Sequence, residues 1–187
     1  MRKVLCCLAL MLTCFIIVGC GDNKSSDTNN IKQNSQSATT TTKSEPAEPT
    51  WNKSEVDATK NGNLQIAVKE MMKHQNLSDI AIQADPIAVY RSPWDYYGKV
   101  VTFTGTAYVL ENMPPENNMS KLFGGSMCEV IISYDGGEIV DGLLAGDTNN
   151  LQVGQTVTFY GYPIGRTEVP NKMGGKFNHL MVIGRLN

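Results

Sequence analysis

The chain has 187 residues, with 16 Lys and Arg against 18 Asp and Glu, a formal charge of −2, and hydrophobic residues make up 41% of it. That length and balance suit one domain of ordinary size with additional segments. They withhold the basic footprint that proteins living on nucleic acid usually carry.

Arg2 and Lys3 form a positive start, and Val4 to Val18 is an almost unbroken apolar run. Its length fits the hydrophobic region of a signal peptide and falls short of a comfortable membrane span. The run closes on Ile17-Val18-Gly19-Cys20, which resembles the bacterial lipobox. That resemblance implies a signal peptide over 1–19, cleavage before Cys20 and a lipid on its thiol. It also implies a protein held by that lipid on the extracytoplasmic side of a cell membrane or outer membrane. Of five cysteines, Cys6, Cys7 and Cys14 would leave with the signal, and Cys128 would have no partner for an intramolecular disulfide. Cys128 sits in an apolar pattern without local cations, which suits a buried small hydrophobe better than a reactive thiol. Loss of Arg2 and Lys3 takes the formal charge to −4, and the segment from Lys60 onward carries −2.

Residues 20–59 are rich in Asn, Ser, Thr, Lys, Gln and Pro and show no apolar period. Such a stretch lacks the surface needed to offset the entropy of ordering, so a disordered tether is expected, with a reach of roughly 35 Å. A head over 60–187 comes next, with helices within 63–97 and strands from 98 on. Leu64, Val68, Met71, Met72 and Gln75 recur at helical spacing, with Ala67 beside them, predicting an amphipathic helix over Asn63–Gln75. Asp85-Pro86 reads as an N-cap followed by proline at the first helical position, opening a short helix through Tyr90. Ser92-Pro93 repeats that signal, and Gly98 stops it.

From Lys99 the apolar period becomes two. Val101, Phe103, Ala107 and Val109 share one side of a long strand, and Gly105 suggests a bulge or bend within it. CEVIISY at 128–134 predicts a second strand, Asp135–Gly137 a hairpin turn, and EIVDGLLA a third. QTVTFYGYPIG and KFNHLMVIGRL predict the fourth and fifth. The first and fourth open on nearly the same words, GKVVTFTG from Gly98 and GQTVTFYG from Gly154. The residues after the two copies do not match. The echo therefore points to two strands that each need a glycine where a small barrel coils.

Tyr96, Gly98, Lys99, Val101, Phe103 and Gly105 carry one motif, and Leu151, Gly154, Gln155, Val157, Thr158 and Gly161 carry a second. Together they resemble the tRNA-anti-like OB-fold domains of bacterial lipoproteins over roughly Asp85 to Asn187. The resemblance implies a mainly β fold, a five-stranded OB-fold Greek-key barrel with an N-terminal amphipathic helix. The helix usual between the third and fourth strands is replaced by a polar loop, and the Asn63–Gln75 helix is the expected cover for the barrel end.

OB barrels bind ligand on the face of their second and third strands, between the loops that join strands one to two and four to five. Here those loops are 111–127, with Met119 and Phe123, and 166–176, with Arg166, Lys172 and Lys176. Loops this long serve a function or are disordered. Tyr108, Tyr134, Tyr160 and Tyr162 offer a stacking platform, although tyrosine also suits any half-buried strand. The ligand-binding set is thus Tyr108, Phe123, Tyr134, Tyr160, Tyr162, Arg166, Lys172 and Lys176.

His74 and His179 fall in different elements without ligand spacing, so no metal site or cofactor is expected. Asp135, Glu138, Asp141 and Asp147 cluster around the third strand without a known Ca²⁺ spacing and read as a solvated edge. Gly174-Gly175-Lys176 lacks the context of a phosphate loop, and Ser126 and Cys128 lack a nucleophile setting. The expected function is a membrane-anchored, non-catalytic binding or adaptor module for a small molecule, glycan, peptide or envelope protein. A single-stranded nucleic-acid binder, disfavoured by net charge, and an envelope hydrolase without a recognised active site are the alternatives.

Overall fold

The computed structural model describes residues 50–134, 139–170 and 174–186, which fall within one compact unit, Glu45–Asn187. Cys20 and the signal and lipobox residues lie outside the described residues. The fold is mainly β. Its elements are α1 (Asn63–Met72), β1 (Ile82–Gln83), α2 (Pro86–Arg91), β2 (Val101–Asn112), α3 (Asn118–Leu122), β3 (Met127–Ser133), β4 (Ile139–Ala145), β5 (Thr156–Pro170) and β6 (Lys176–Leu186).

The six strands form one mixed sheet in the order β1-β2-β3-β4-β6-β5, and β5 also pairs with β2, so the sheet closes on itself in a ring. β4 and β6 run parallel, as do β1 and β2, and the other pairs are antiparallel. The period-two pattern places Phe103, Cys128, Ile132, Leu144, Phe159 and Leu180 inside the ring, where all are fully buried.

The two echoing segments are neighbours. Val101↔Gly161, Phe103↔Phe159 and Gly105↔Val157 are directly opposed pairs of the β2–β5 ladder. Aligned antiparallel, VTFTG and VTFYG complement each other: each valine faces the partner's glycine, and the phenylalanines face each other. The repeat therefore builds one shared ladder as well as two strands. Both glycines are needed for close approach. A Cβ on Gly161 would lie 2.6 Å from the Ile183 carbonyl oxygen, and one on Gly105 would lie 2.7 Å from that of Ser133. Gly105 pairs regularly, however. The bulge expected there falls at Tyr108, which is left over where the register shifts between Ala107 and Val109.

The N-terminal elements are placed differently from expectation. Asp85 caps α2, its side chain accepting from the Ile87 amide at 3.2 Å, with Pro86 at the first helical position. Val89 of α2 is fully buried in the interior cluster, so α2 is the element that plugs the ring. α1 lies against β5 and β6, where Ala67, Val68 and Met71 join Ile164, Tyr162 and Ile183 in a second cluster outside the ring. The single apolar stripe of α1 suits that flat strand surface.

Residues 50–59, assigned by composition to the tether, are laid onto the head. Trp51 stacks between Tyr97 and Tyr162, each ring centroid 6.0 Å away. The Asn52 amide donates to Asn63 Oδ1 at 2.9 Å, and the Ala58 amide donates to the Arg166 carbonyl at 2.8 Å. One tryptophan and a few backbone hydrogen bonds thus order a segment that is polar on average.

Candidate functional site

Two surfaces carry the chemistry. The first is the outer face of β2, β3, β4 and β6, where cross-strand neighbours share a side. Its rows are Glu111–Glu129–Leu143–Ile183, then Val109–Ile131–Asp141–Met181, then Thr106–Ser133–Ile139–His179. Leu143 and Ile183 lie under the second cluster. The lower rows open into an apolar groove of about 170 Å³ lined by Tyr108, Ile131, Ser133 and Ile139. The bulge turns Tyr108 out over this groove, where it is 69% exposed.

Beside the groove, Glu129, Asp141 and His179 run diagonally across three strands. Asp141 and His179 are buried, with His179 Nδ1 3.8 Å from Asp141 Oδ2. Asp141 Oδ1 and both ring nitrogens of His179 lack hydrogen-bond partners. Burial, then the charges of Asp141 and Glu111, push the Glu129 carboxyl up to about 7. Asp141 therefore belongs to a buried polar line rather than a solvated edge. Among the described residues no three His, Cys, Asp or Glu side chains converge as a metal-binding set.

The second surface is a cleft of about 650 Å³ between residues 56–60, the end of α2 and the β5–β6 hairpin. Arg166 lies over the Tyr90 ring, its guanidinium carbon 5.5 Å from the centroid. Lys60 pairs with Asp57 at 2.6 Å, and the Lys60 hydrogen bond holds the Asp57 carboxyl down at about 2. Gly165 lets the wall close: at φ +136° it passes beneath Val56, where a Cβ would collide with the Val56 carbonyl oxygen.

The expected ligand-binding residues do not gather at one place. Tyr108 stands on the first surface and Arg166 on the second. Phe123 and Tyr162 are buried in the second cluster, at 3% exposure each, and so give no open face to a ligand. Phe123 instead anchors the 111–127 connection, which is ordered and contains α3, capped by Asn117. Tyr134 packs against the interior cluster with its hydroxyl buried, which pushes its pKa up, and Tyr160 packs against the second cluster. Arg166 and Lys176 are strand residues, because β5 continues to Pro170 and pairs it with Lys176. Lys176 is ion-paired with Glu168. Lys172 lies outside the described residues, as do Asp135 and Glu138.

Sequence reasoning missed Glu129, Ile131 and Ile139 on the first surface and Asp57, Lys60 and Tyr90 on the second. For the first, a signal was present: strict alternation along CEVIISY puts Glu129 and Ile131 on the side opposite Val130 and Ile132. No protein-family model matches the chain, and no curated protein matches it.

Proposed function

We propose that this chain is a lipid-anchored, extracytoplasmic OB-fold module that binds its ligand without catalysis, on the outer face of β2, β3 and β4. The OB reading is supported by the order β2-β3-β4-β6-β5 returning to β2, with the last strand inserted beside the third. The anchor reading is supported by the lipobox-like Ile17–Cys20. Among the described residues no helix is long and apolar enough to cross a membrane.

One observation carries the choice of face. Tyr108 stands exposed over an apolar groove on the strands that OB domains use for ligands. The same face carries the exposed Glu111 and the half-buried Glu129, with no Lys or Arg in its three cross-strand rows. A polyanion would meet carboxyl groups there, and nucleic-acid affinity depends on basic contacts. The ligand is therefore an uncharged or cationic small molecule, glycan or peptide with an apolar edge for Tyr108 and Ile131.

The test is an NMR titration of the full-length lipidated protein in detergent micelles. Cell-envelope glycan fragments, short peptides and a single-stranded oligonucleotide are added in separate series. Saturable shifts centred on Tyr108, Ile131 and Ile139 with a glycan or peptide, lost in Tyr108→Ala, are expected. Salt-sensitive shifts with the oligonucleotide alone would overturn the reading.

A further inference from the structure

We propose that the Arg166 cleft is a second binding site, distinct from the β2–β4 face, and that it takes the carboxylate of a small monoanionic molecule. The cleft's volume falls in the range of small-molecule sites. Its charges are unevenly paired. Asp57 is held by Lys60, and Glu168 by Lys176. Among the described residues the Arg166 side chain has no carboxylate partner, and its one side-chain contact of note is the Tyr90 ring. That contact keeps the guanidinium beside the ring in the cleft, and an arginine's planar N–H array matches a carboxylate through two parallel hydrogen bonds.

The site is built rather than incidental. Residues 56–58 and Arg166 are locked by paired backbone hydrogen bonds, from the Arg166 amide to the Val56 carbonyl and from the Ala58 amide to the Arg166 carbonyl, both 2.8 Å. Asn61 ties the same wall to the Ile164 carbonyl at 2.6 Å. Asn178 lines the cleft and adds an amide that can donate or accept. The ion pairing selects the anion. Asp57 is paired with Lys60 and Glu168 with Lys176, so of the lining cations, Lys60 and Arg166, Arg166 is the one without a carboxylate among the described residues. A monocarboxylate takes that place with a single charge. A phosphate dianion would bring a second charge toward Asp57 and Glu168.

The chain contains only four arginines, Arg2, Arg91, Arg166 and Arg185, so ¹⁵N-arginine labelling of the full-length protein in detergent gives a sparse spectrum. Acetyl-alanine, acetyl-alaninamide, inorganic phosphate and sodium chloride are titrated at matched ionic strength. The Arg166 side-chain N–H is expected to shift saturably with acetyl-alanine, about 10-fold more weakly with the amide, while Arg91 and Arg185 stay in place. Asn178→Ala is expected to weaken that shift, and Arg166→Lys, read by calorimetric titration because it lacks the labelled side chain, to weaken acetyl-alanine binding, each with an unchanged thermal midpoint. The proposal is overturned by the absence of a saturable Arg166 shift up to about 50 mM acetyl-alanine. Equal responses to acid and amide, or tighter binding of phosphate, overturn it as well. Since no arm involves Tyr108, failure here leaves the β2–β4 face untouched.

Discussion

Phe103 and Phe159 stand directly opposite each other in the β2–β5 ladder, with ring centroids 5.6 Å apart inside the closed sheet. Thr104 and Thr158, the next pair, join hydroxyls at 2.8 Å on the outside. The aromatic pair contributes about 1 kcal/mol beyond its burial. Its larger effect is to fix register, because a one-residue slip of either strand would turn that strand's ring out to solvent.

The glycines flanking this pair are the first test. Gly161→Val places a branched side chain against the Ile183 backbone and the Val182 side chain. A loss of about 3 kcal/mol is expected, roughly 10 °C in thermal midpoint. Gly105→Val meets the Ser133 carbonyl and should fall in the same range. Circular-dichroism melts read both; midpoints within about 2 °C of the parent, at roughly 3 °C per kcal/mol, would remove close approach as the reason for these glycines.

Much of this ladder is legible in the sequence, and the reason is physical. Strict alternation along VTFTG and VTFYG forces one face inward, and the fifth strand expected over KFNHLMVIGRL is β6, Lys176–Leu186. The features that escape depend on contacts between distant residues. Taken locally, the echo is two independent demands for glycine, because nothing local says that strands 56 residues apart in sequence are partners. The flexibility of Gly105 invites a bulge there, whereas the register change that frees Tyr108 is dictated by β3. Phe123 looks like a ligand contact because a Gly- and Asn-rich loop conceals that its one aromatic is the anchor. Arg166 looks like a loop residue because Gly165 and Pro170 mark breaks, yet β5 runs on to Pro170.

Trp51 is the clearest case, since a polar average hides a single strong contact. Trp51→Ala removes the ring between Tyr97 and Tyr162 and leaves residues 50–58 held by backbone hydrogen bonds and polar side chains. A loss of about 2 kcal/mol is expected, below the range for a fully buried tryptophan because Trp51 is half-buried. Limited proteolysis should then cut near Trp51 to Thr59 in the variant and spare the parent. Equal cleavage of both would mean that the aromatic stack does not hold the segment.

Cys128 lies inside the ring, fully buried, and burial pushes its thiol up to about 11. At pH 8 little thiolate forms, and the packed interior keeps reagents away from it. A thiol-reactive disulfide reagent should modify the folded protein no faster than the protein unfolds, and urea should release the reaction. Cys128→Ala should cost about 1 kcal/mol through lost packing. Rapid labelling without denaturant would show that the interior opens locally.

Replacing Cys20 tests the anchor. If the thiol carries lipid, Cys20→Ala removes the point of attachment. The variant should move from the membrane pellet to the soluble fraction after a high-salt wash, and metabolic labelling with a fatty-acid analogue should be lost with it. A variant that still pellets and still labels would place the lipid elsewhere.

Glu129 gives the last test, and its sign comes from the direction of its shift. Burial and the neighbouring Asp141 and Glu111 raise its folded pKa to about 7, above the ordinary carboxyl value of 4.5, while His179 acts the other way. Between those values the folded state binds the proton that the unfolded state has lost, so stability falls as pH rises through that window. The group is only half-buried, so solvent screening cuts the effect to about 1–2 kcal/mol. Glu129→Gln keeps the shape and removes the charge. It should match the parent near pH 4.5, exceed it above pH 7, and flatten the intervening slope of stability against pH. The carboxyl that faces Asp141 across the β3–β4 diagonal is then the source of the slope. A variant that keeps the parent's slope would show that Glu129 is not its source.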